Sequence, residues 1–168
     1  MKTVAYYLRK IAVGMNPKSP PDLIFTVGIP GSGKSTWIRS QPGYVVVSPD
    51  SIRASMGDIT DQSKNAEVWA IAKSRVAEAL KQGRNVILDS TNVDSRRRRE
   101  FVEGLPDHAL KAKIFDVDPT IAKKRIKDDL TKGVQRSNVP DYAVDRMYQY
   151  YQATINENQL KAEGFEII

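Results

Sequence analysis

The sequence of 168 residues contains no cysteine, which excludes disulfide bonds, thiol nucleophiles and metal sites built on cysteine. No apolar run approaches the about 20 residues that a membrane-spanning helix needs. Arg9 and Lys10 lie inside the first apolar pattern rather than ahead of it, so we do not expect a secretory signal. Internal repeats and low-complexity segments are also absent. These absences predict one soluble globular domain that suits a reducing, cytoplasmic compartment.

The charge of the chain is unbalanced toward basic residues. The chain has 26 lysine and arginine residues and 20 aspartate and glutamate residues, which gives a formal net charge of +6. A basic surface attracts and steers polyanions, so this balance raises the prospect of a nucleic-acid partner. Charge alone does not decide the matter, because many basic proteins bind no nucleic acid.

One segment matches the phosphate-binding P-loop pattern at every fixed position: Gly28-Ile29-Pro30-Gly31-Ser32-Gly33-Lys34-Ser35, followed by Thr36. Its glycines let the backbone approach a polyphosphate closely, so that successive N–H groups converge on the β-phosphate. Lys34 can bridge the β- and γ-phosphates, and the Ser35 hydroxyl can ligate Mg²⁺. A plain turn between strand and helix is the alternative, but the apolar run before the loop and the helix-compatible run after it favour nucleotide binding. We therefore predict that Gly28 and residues 30–36 bind ATP.

The rest of the chain alternates predicted strands with predicted helices. We predict strands at residues 23–27, 44–47, 85–88, 110–117 and 164–168. We predict helices at residues 34–39, 63–81, 95–103, 120–130 and 141–156, and a brief helix that begins at residue 48. This order predicts an α/β fold with a parallel sheet covered by helices on both faces. Residues 1–22 form an expected N-terminal arm, and residues 23–168 form the domain. Ligands bind such sheets beyond the carboxyl ends of the strands, where the P-loop, Asp50 and Asp89 all lie.

Asp89 directly follows a predicted strand, where a P-loop protein places the carboxylate that orients Mg²⁺. Capping of the next turn is the alternative role, although Asp94 and Ser95 are better placed for it. The next residue, Ser90, is not the glutamate that activates water in ATP-hydrolysing motors. The guanine-recognition pattern N-K-x-D is absent too. Phosphoryl transfer to an acceptor is therefore favoured over hydrolysis.

An acceptor hydroxyl needs a base beside the γ-phosphate and a cation to hold the rest of the molecule. Asp50 and Arg53 lie three residues apart on one face of a predicted helix, after a strand that we expect to neighbour the P-loop strand. The carboxylate can accept the hydroxyl proton, and the guanidinium can clamp an acceptor phosphate. A helix-start aspartate paired with a surface arginine would have the same spacing. The nearby P-loop favours the catalytic role.

Several of these elements together resemble the kinase domain of bacteriophage-type 5′-polynucleotide kinases. The similarity extends in order from about Leu23 to Tyr151. It rests on six segments: the P-loop with the residues up to Trp37, Asp50-Ser51-Ile52-Arg53, Asp89-Ser90-Thr91-Asn92, Phe115-Asp116-Val117, Val139-Pro140 and Arg146-Met147-Tyr148. The resemblance implies an adenylate-kinase-like P-loop fold with five parallel strands and a small lid at about residues 125–139. It implies transfer of the ATP γ-phosphate, with Mg²⁺, to the 5′-hydroxyl of single-stranded DNA or RNA ends in nucleic acid repair. A phage member would act in the host cytoplasm.

By the same resemblance, Asp50 is the general base, Arg53 holds the phosphate of the terminal nucleotide, and Thr91 and Asn92 belong to the substrate site. The lid of this family supplies arginines to the transferring phosphoryl group. Arg125 aligns without a gap, whereas the stretch before Val139 is longer than in the family and leaves Lys132 and Arg136 as candidates. We favour Arg136.

Two other patterns favour structural roles. Asp116-Val117-Asp118-Pro119-Thr120 matches the D-x-D-x-T motif of aspartyl-transfer phosphatases, but the kinase family has a similar strand end there. Arg96-Arg97-Arg98-Arg99 falls on a predicted helix, where four consecutive residues point around the circumference and at most two share a face. We expect a solvated face with one or two substrate contacts.

Two alternatives to a polynucleotide kinase stay open. A P-loop kinase acting on a small molecule or on a tRNA-attached group would use the same Asp50 and Arg53. A module that binds ATP as a switch without transfer would need neither, so the presence of both residues argues against it.

Overall fold

The computed structural model describes residues 19–59, 61–134 and 136–168, together with Val4. The predicted N-terminal arm lies outside the described residues apart from Val4 and residues 19–22. Within the described ranges, no helix is both long enough and apolar enough to cross a membrane.

Five parallel strands form one sheet, in the order β2-β3-β1-β4-β5. The strands are β1 (Asp22–Val27), β2 (Val45–Val47), β3 (Val86–Leu88), β4 (Ala109–Ile114) and β5 (Glu166–Ile167). Helices connect them, so the predicted α/β fold with a parallel sheet is confirmed. The P-loop leaves β1, the central strand of the sheet.

The expected pairing of the strand before Asp50 with the P-loop strand is wrong. β3 lies between them: Leu23 of β1 is in register with Val86 of β3, and Val45 of β2 pairs with the opposite side of Val86. Burial explains the order, because all three residues of β3 are fully buried whereas Val46 of β2 is 45% exposed. A strand with both faces covered suits the interior of a parallel sheet, and a half-exposed strand suits its edge.

Seven helices are described: α1 (Lys34–Arg39), α2 (Pro49–Ser55), α3 (Asn65–Lys81), α4 (Ser95–Val102), α5 (Pro119–Thr131), α6 (Asp141–Thr154) and α7 (Glu157–Ala162). Two of these helices begin at side-chain caps. The Ser48 hydroxyl accepts a hydrogen bond from the Ser51 N–H at 3.3 Å, and the Asp94 carboxylate accepts one from the Arg97 N–H at 3.1 Å. These caps fix where α2, which carries Asp50, and α4, which follows the Asp89 loop, begin.

The last predicted helix, residues 141–156, ends two residues early, and a further helix that was not predicted follows it. α6 ends at Thr154, and the Asn156 side chain accepts a hydrogen bond from the Gln159 N–H at 2.8 Å to begin α7. Asparagine favours such a cap over the helix interior because its side chain competes for backbone groups. The chain therefore bends at residues 155–156 before it enters β5.

The core lies on the sheet around Phe25, whose ring meets those of Phe101 from α4 and Phe165 at 5.8 and 5.2 Å between centroids. Val68, Ala72 and Val76 of α3 are fully buried in the same core. In α6, Tyr151 is buried and stacks on Tyr148, with 6.1 Å between their ring centroids.

Candidate active site

The P-loop backbone requires its glycines. Gly31 and Gly33 have φ of 78° and 99°, a left-handed conformation that side chains with a Cβ rarely adopt. A Cβ on Gly28 would lie 2.7 Å from the Phe115 carbonyl oxygen, and one on Gly31 would lie 2.5 Å from the Ala122 carbonyl oxygen. The loop is therefore pressed against the end of β4 and against α5, and only glycine fits at these two contacts.

Lys34 lies over this loop. Its ammonium donates hydrogen bonds to the carbonyl oxygens of Gly28 at 2.9 Å and Ile29 at 2.7 Å. Burial lowers the pKa of Lys34 to about 8, while the nearby carboxylates of Asp89 and Asp50 act in the opposite direction. Both acids therefore lie close enough to Lys34 for their charges to influence its protonation.

Asp89 directly follows β3 and is the more buried of the two acids. Burial raises the pKa of its carboxyl, Lys34 lowers it, and the negative charge of Asp50 raises it further. Two carboxylates that repel each other near a phosphate loop favour a bound cation. The structure thus brings the P-loop lysine, Asp50 and Asp89 to one crevice at the carboxyl ends of the strands.

The fit to Mg²⁺ depends on this pair of acids and on Ser35, whose exposed side chain lies in the first turn of α1. The described part of the chain contains no metal-binding cluster of three or more histidine, cysteine, aspartate or glutamate side chains. Magnesium is commonly held by one or two carboxylates, waters and substrate phosphates rather than by a cage of protein ligands. The donor set of Ser35 and Asp89 therefore fits a Mg²⁺ ion that is shared with a nucleotide.

Arg53 is almost completely buried and faces Asp50. Its Nη1 donates to Asp50 Oδ1 at 2.6 Å and its Nη2 donates to Asn65 Oδ1 at 2.9 Å. Its Nε is buried and has no hydrogen-bond partner among the described residues. A buried guanidinium N–H without an acceptor is costly, by about 1–3 kcal/mol, so this edge of Arg53 is suited to an anionic ligand. The Asp50 side chain, by contrast, is 62% exposed and open to an incoming group.

Sequence reasoning missed Asn65, which holds the far side of the Arg53 guanidinium. Asn65 is the first residue of α3. Asparagine is common where helices begin, so its presence there does not by itself indicate a functional role. The only signal was its place twelve residues after Arg53, and that spacing has no meaning until α2 and α3 pack together.

Thr91 and Asn92 connect the Asp89 loop to the P-loop strand. The Gly28 N–H donates to the Thr91 carbonyl at 3.0 Å, and the Asn92 side-chain amide donates to the Thr26 carbonyl at 2.8 Å. Asn92 has a φ of 47°, the one positive value for a non-glycine residue in the described ranges. These contacts give both residues a scaffolding role, and their assignment to substrate binding stays a prediction.

The predicted lid supplies two arginines to the same crevice. Arg125 Nη1 donates to the Gly31 carbonyl at 3.3 Å. Arg136 forms an ion pair with Asp129, and its positive charge contributes to the lowered pKa of Lys34. The Nε of Arg136 is buried and, within the described ranges, has no hydrogen-bond partner. Lys132 is exposed at the end of α5, and the choice of Arg136 over Lys132 stays a prediction.

The remaining predicted nucleotide-binding residues lie along the loop and the first turn of α1. Pro30 is half-buried, Ser32 is buried and close to the Lys34 ammonium, and Thr36 is exposed, with its hydroxyl accepting a hydrogen bond from Arg39. Their roles toward a nucleotide stay predictions.

Comparisons with known proteins agree with the fold of this chain. A family model named AAA_33, described as an AAA domain, matches residues 23–154. A protein of Autographa californica nuclear polyhedrosis virus named "Putative bifunctional polynucleotide kinase/RNA ligase" is 28% identical over 102 residues, which cover 52% of this chain and 15% of that protein.

Among solved structures, a chain of the Pnkp1/Rnl/Hen1 RNA repair complex matches with a TM-score of 0.70 and 26% identity over 83% of this chain. A second structure of the Pnkp1/Rnl/Hen1 complex matches with a TM-score of 0.56 and 30% identity over 66% of the chain. This chain spans 46% and 41% of those two chains, so it corresponds to a part of each relative.

Proposed function

The chain belongs to the AAA_33 family of AAA domains, and from that premise we propose that it is an ATP-dependent polynucleotide 5′-hydroxyl kinase. The arrangement of Asp50 and Arg53 beside Lys34 is the observation that carries this proposal. A base, a buried phosphate clamp and a phosphate loop converge on one crevice, as transfer from a nucleotide to a phosphate-bearing alcohol requires.

In this reaction the P-loop backbone and Lys34 hold the β- and γ-phosphates of ATP. The 5′-oxygen of the acceptor attacks the γ-phosphorus, its proton passes to the Asp50 carboxylate, and the bond to the β–γ bridging oxygen breaks to release ADP. Ser35 and Asp89 would hold Mg²⁺, which would supply charge neutralisation on the phosphates. Arg136 and Arg125 approach the transferring group from the lid side.

A nucleic acid acceptor is favoured over a small molecule for two reasons. The relatives named above are described as a polynucleotide kinase/RNA ligase and as members of an RNA repair complex. The net charge of +6 also favours a polyanionic partner. Arg53 would then hold the phosphate that links the terminal nucleotide to the next one.

A panel of acceptors with γ-labelled ATP tests the proposal. We expect label on DNA and RNA oligonucleotides with a 5′-hydroxyl, and none on the same oligonucleotides with a 5′-phosphate. Label on sugars, nucleosides or tRNA alone would favour a kinase for a small molecule or a tRNA-attached group. ATP binding with no transfer to any acceptor would favour a switch module.

A further inference from the structure

A cavity of about 470 Å³ lies between α3 and α4, above Phe25 of the central strand. This volume falls within the about 300–1,000 Å³ of typical small-molecule sites. Aromatic and small apolar side chains line it together with polar and charged ones, which come from both helices and from the loop after Asp89. We call it the α3–α4 cavity.

The cavity exists because of the pattern of residues on α3. Ala66, Trp69, Ala70 and Lys73 line it and lie on one face of the helix, at spacings of three and four residues. Ala66 and Ala70 are exposed and contribute only a methyl group each, so space is left beside the large ring of Trp69.

Trp69 is held in a defined orientation. Its ring meets that of Phe101 edge to face, with 5.8 Å between centroids and 79° between planes, and Phe101 meets Phe25 in the same manner. A half-buried tryptophan that packs on a core phenylalanine, itself packed on a second one, offers a pre-oriented surface for another planar ring.

The cavity adjoins the acceptor side of the site rather than the ATP side. Asn65 lines it and also accepts the hydrogen bond from Arg53 Nη2. Thr91 and Asn92, just after Asp89, form another wall. No residue of the P-loop or of α5 lines it, so it is separate from the place where the phosphates of ATP are expected.

We propose that the α3–α4 cavity holds the base of the acceptor's terminal nucleotide, stacked against Trp69. This inference rests on the proposed function, because it requires the phosphate of that nucleotide on Arg53 and its 5′-hydroxyl at Asp50. Every nucleobase has an aromatic face, so stacking on Trp69 requires a base without selecting its identity. The cavity thereby orients the 5′-hydroxyl while the enzyme accepts ends of any sequence.

The first test compares two 5′-hydroxyl oligonucleotides that differ only at the terminal nucleotide, which is either intact or abasic. Base stacking of ordinary strength corresponds to an increase in acceptor KM of about 5- to 150-fold for the abasic end. Ala70→Leu fills the cavity from an exposed position, and we expect it to raise KM for the intact acceptor and to abolish the difference between the two. The matched control, Ala153→Leu at an exposed position of α6, should behave as wild type. Equal KM values for both acceptors in the wild-type protein would overturn the proposal.

The second test needs no phosphoryl transfer. The chain has two tryptophans, so a Trp37→Phe variant leaves Trp69 as its only tryptophan. Titration with adenosine 3′-monophosphate should quench its fluorescence, and the added Ala70→Leu change should remove the quenching. Unchanged fluorescence with Trp37→Phe would contradict a base on Trp69. If no oligonucleotide is phosphorylated but the quenching is observed, the proposed function fails and the base site stands.

Discussion

At the scale of single residues, the charge of Lys34 is sensitive to pH. Burial lowers its pKa to about 8 from the 10.5 of an exposed lysine, and the positive charge of Arg136 adds to this effect. The protonated form, which binds phosphate, therefore dominates below this pKa and is lost as the pH rises through it.

We accordingly predict that the affinity for ATP in the presence of Mg²⁺ decreases as the pH rises from about 7 to about 9. Above the pKa of Lys34, the decrease approaches tenfold per pH unit. Isothermal titration calorimetry across this range measures it. A Lys34→Met variant should bind more weakly and show a flat profile. A wild-type affinity that does not change over this range would contradict the shifted lysine.

A second residue-scale prediction concerns Arg53. Arg53→Ala should raise the acceptor KM by about 10- to 150-fold, because a charge-assisted contact of about 1.5–3 kcal/mol is lost, while the KM for ATP stays unchanged. Arg96→Ala, at an exposed arginine paired with Glu100, is the matched control. A selective rise in the KM for ATP would count against the clamp.

At the scale of secondary-structure elements, the arginine run of α4 differs from the expected solvated face. Arg98 is 1% exposed and donates two hydrogen bonds to the Glu163 carboxylate, at 2.8 and 2.7 Å, and a third to the Asn92 carbonyl at 2.7 Å. It therefore joins α4, the residues after α7 and the loop that carries Asp89. The sequence predicted that the four arginines point in different directions, but the partner of Arg98 lies 65 residues away and could not be read from local spacing.

Glu163→Ala should lower the free energy of unfolding by about 3–5 kcal/mol, because it leaves the Arg98 guanidinium buried without its counter-charge. Chemical denaturation measures this. Glu157→Ala removes an exposed pair with Lys161 and should cost less than about 1 kcal/mol. Equal losses for the two variants would contradict a dominant role for the buried pair.

The pH dependence of this contribution has a definite sign. Burial raises the pKa of Glu163, but hydrogen bonds from Arg98 and Ser95 outweigh it, so the pKa lies below its ordinary value. The stabilisation is therefore present above the pKa of an unfolded glutamate and is lost as the pH falls through the lower, folded value.

The segment after α5 provides the second element-scale prediction. Arg136→Ala should lower kcat by about 1,000-fold or more if it acts as an arginine finger on the transferring phosphoryl group. Lys132→Ala, four residues earlier on the exposed end of α5, should change kcat little. Steady-state kinetics of both variants decide between the two candidates, and a larger loss for Lys132→Ala would reverse the assignment.

At the scale of the whole molecule, the alternation of apolar runs with helical patterns was enough to predict the α/β class and the parallel sheet. It was not enough to predict strand order, because a three-residue valine run has the same local pattern in the centre of a sheet as at its edge. The difference between β2 and β3 lies in their burial, since β3 is fully buried while Val46 of β2 stays exposed. The same limit applies to the site: the motifs predicted Asp50, Arg53 and Lys34, whereas Asn65 and the α3–α4 cavity depend on how α3 packs.

The central claim is that Asp50 removes the proton of an incoming 5′-hydroxyl while the P-loop holds ATP. The most direct measurement compares wild type with Asp50→Asn for transfer of labelled γ-phosphate to a 5′-hydroxyl oligonucleotide and, in parallel, for ATP binding by calorimetry. The account predicts a loss of transfer of about 100- to 10,000-fold with ATP affinity retained. Undiminished transfer, or an equal loss of ATP binding, would contradict it.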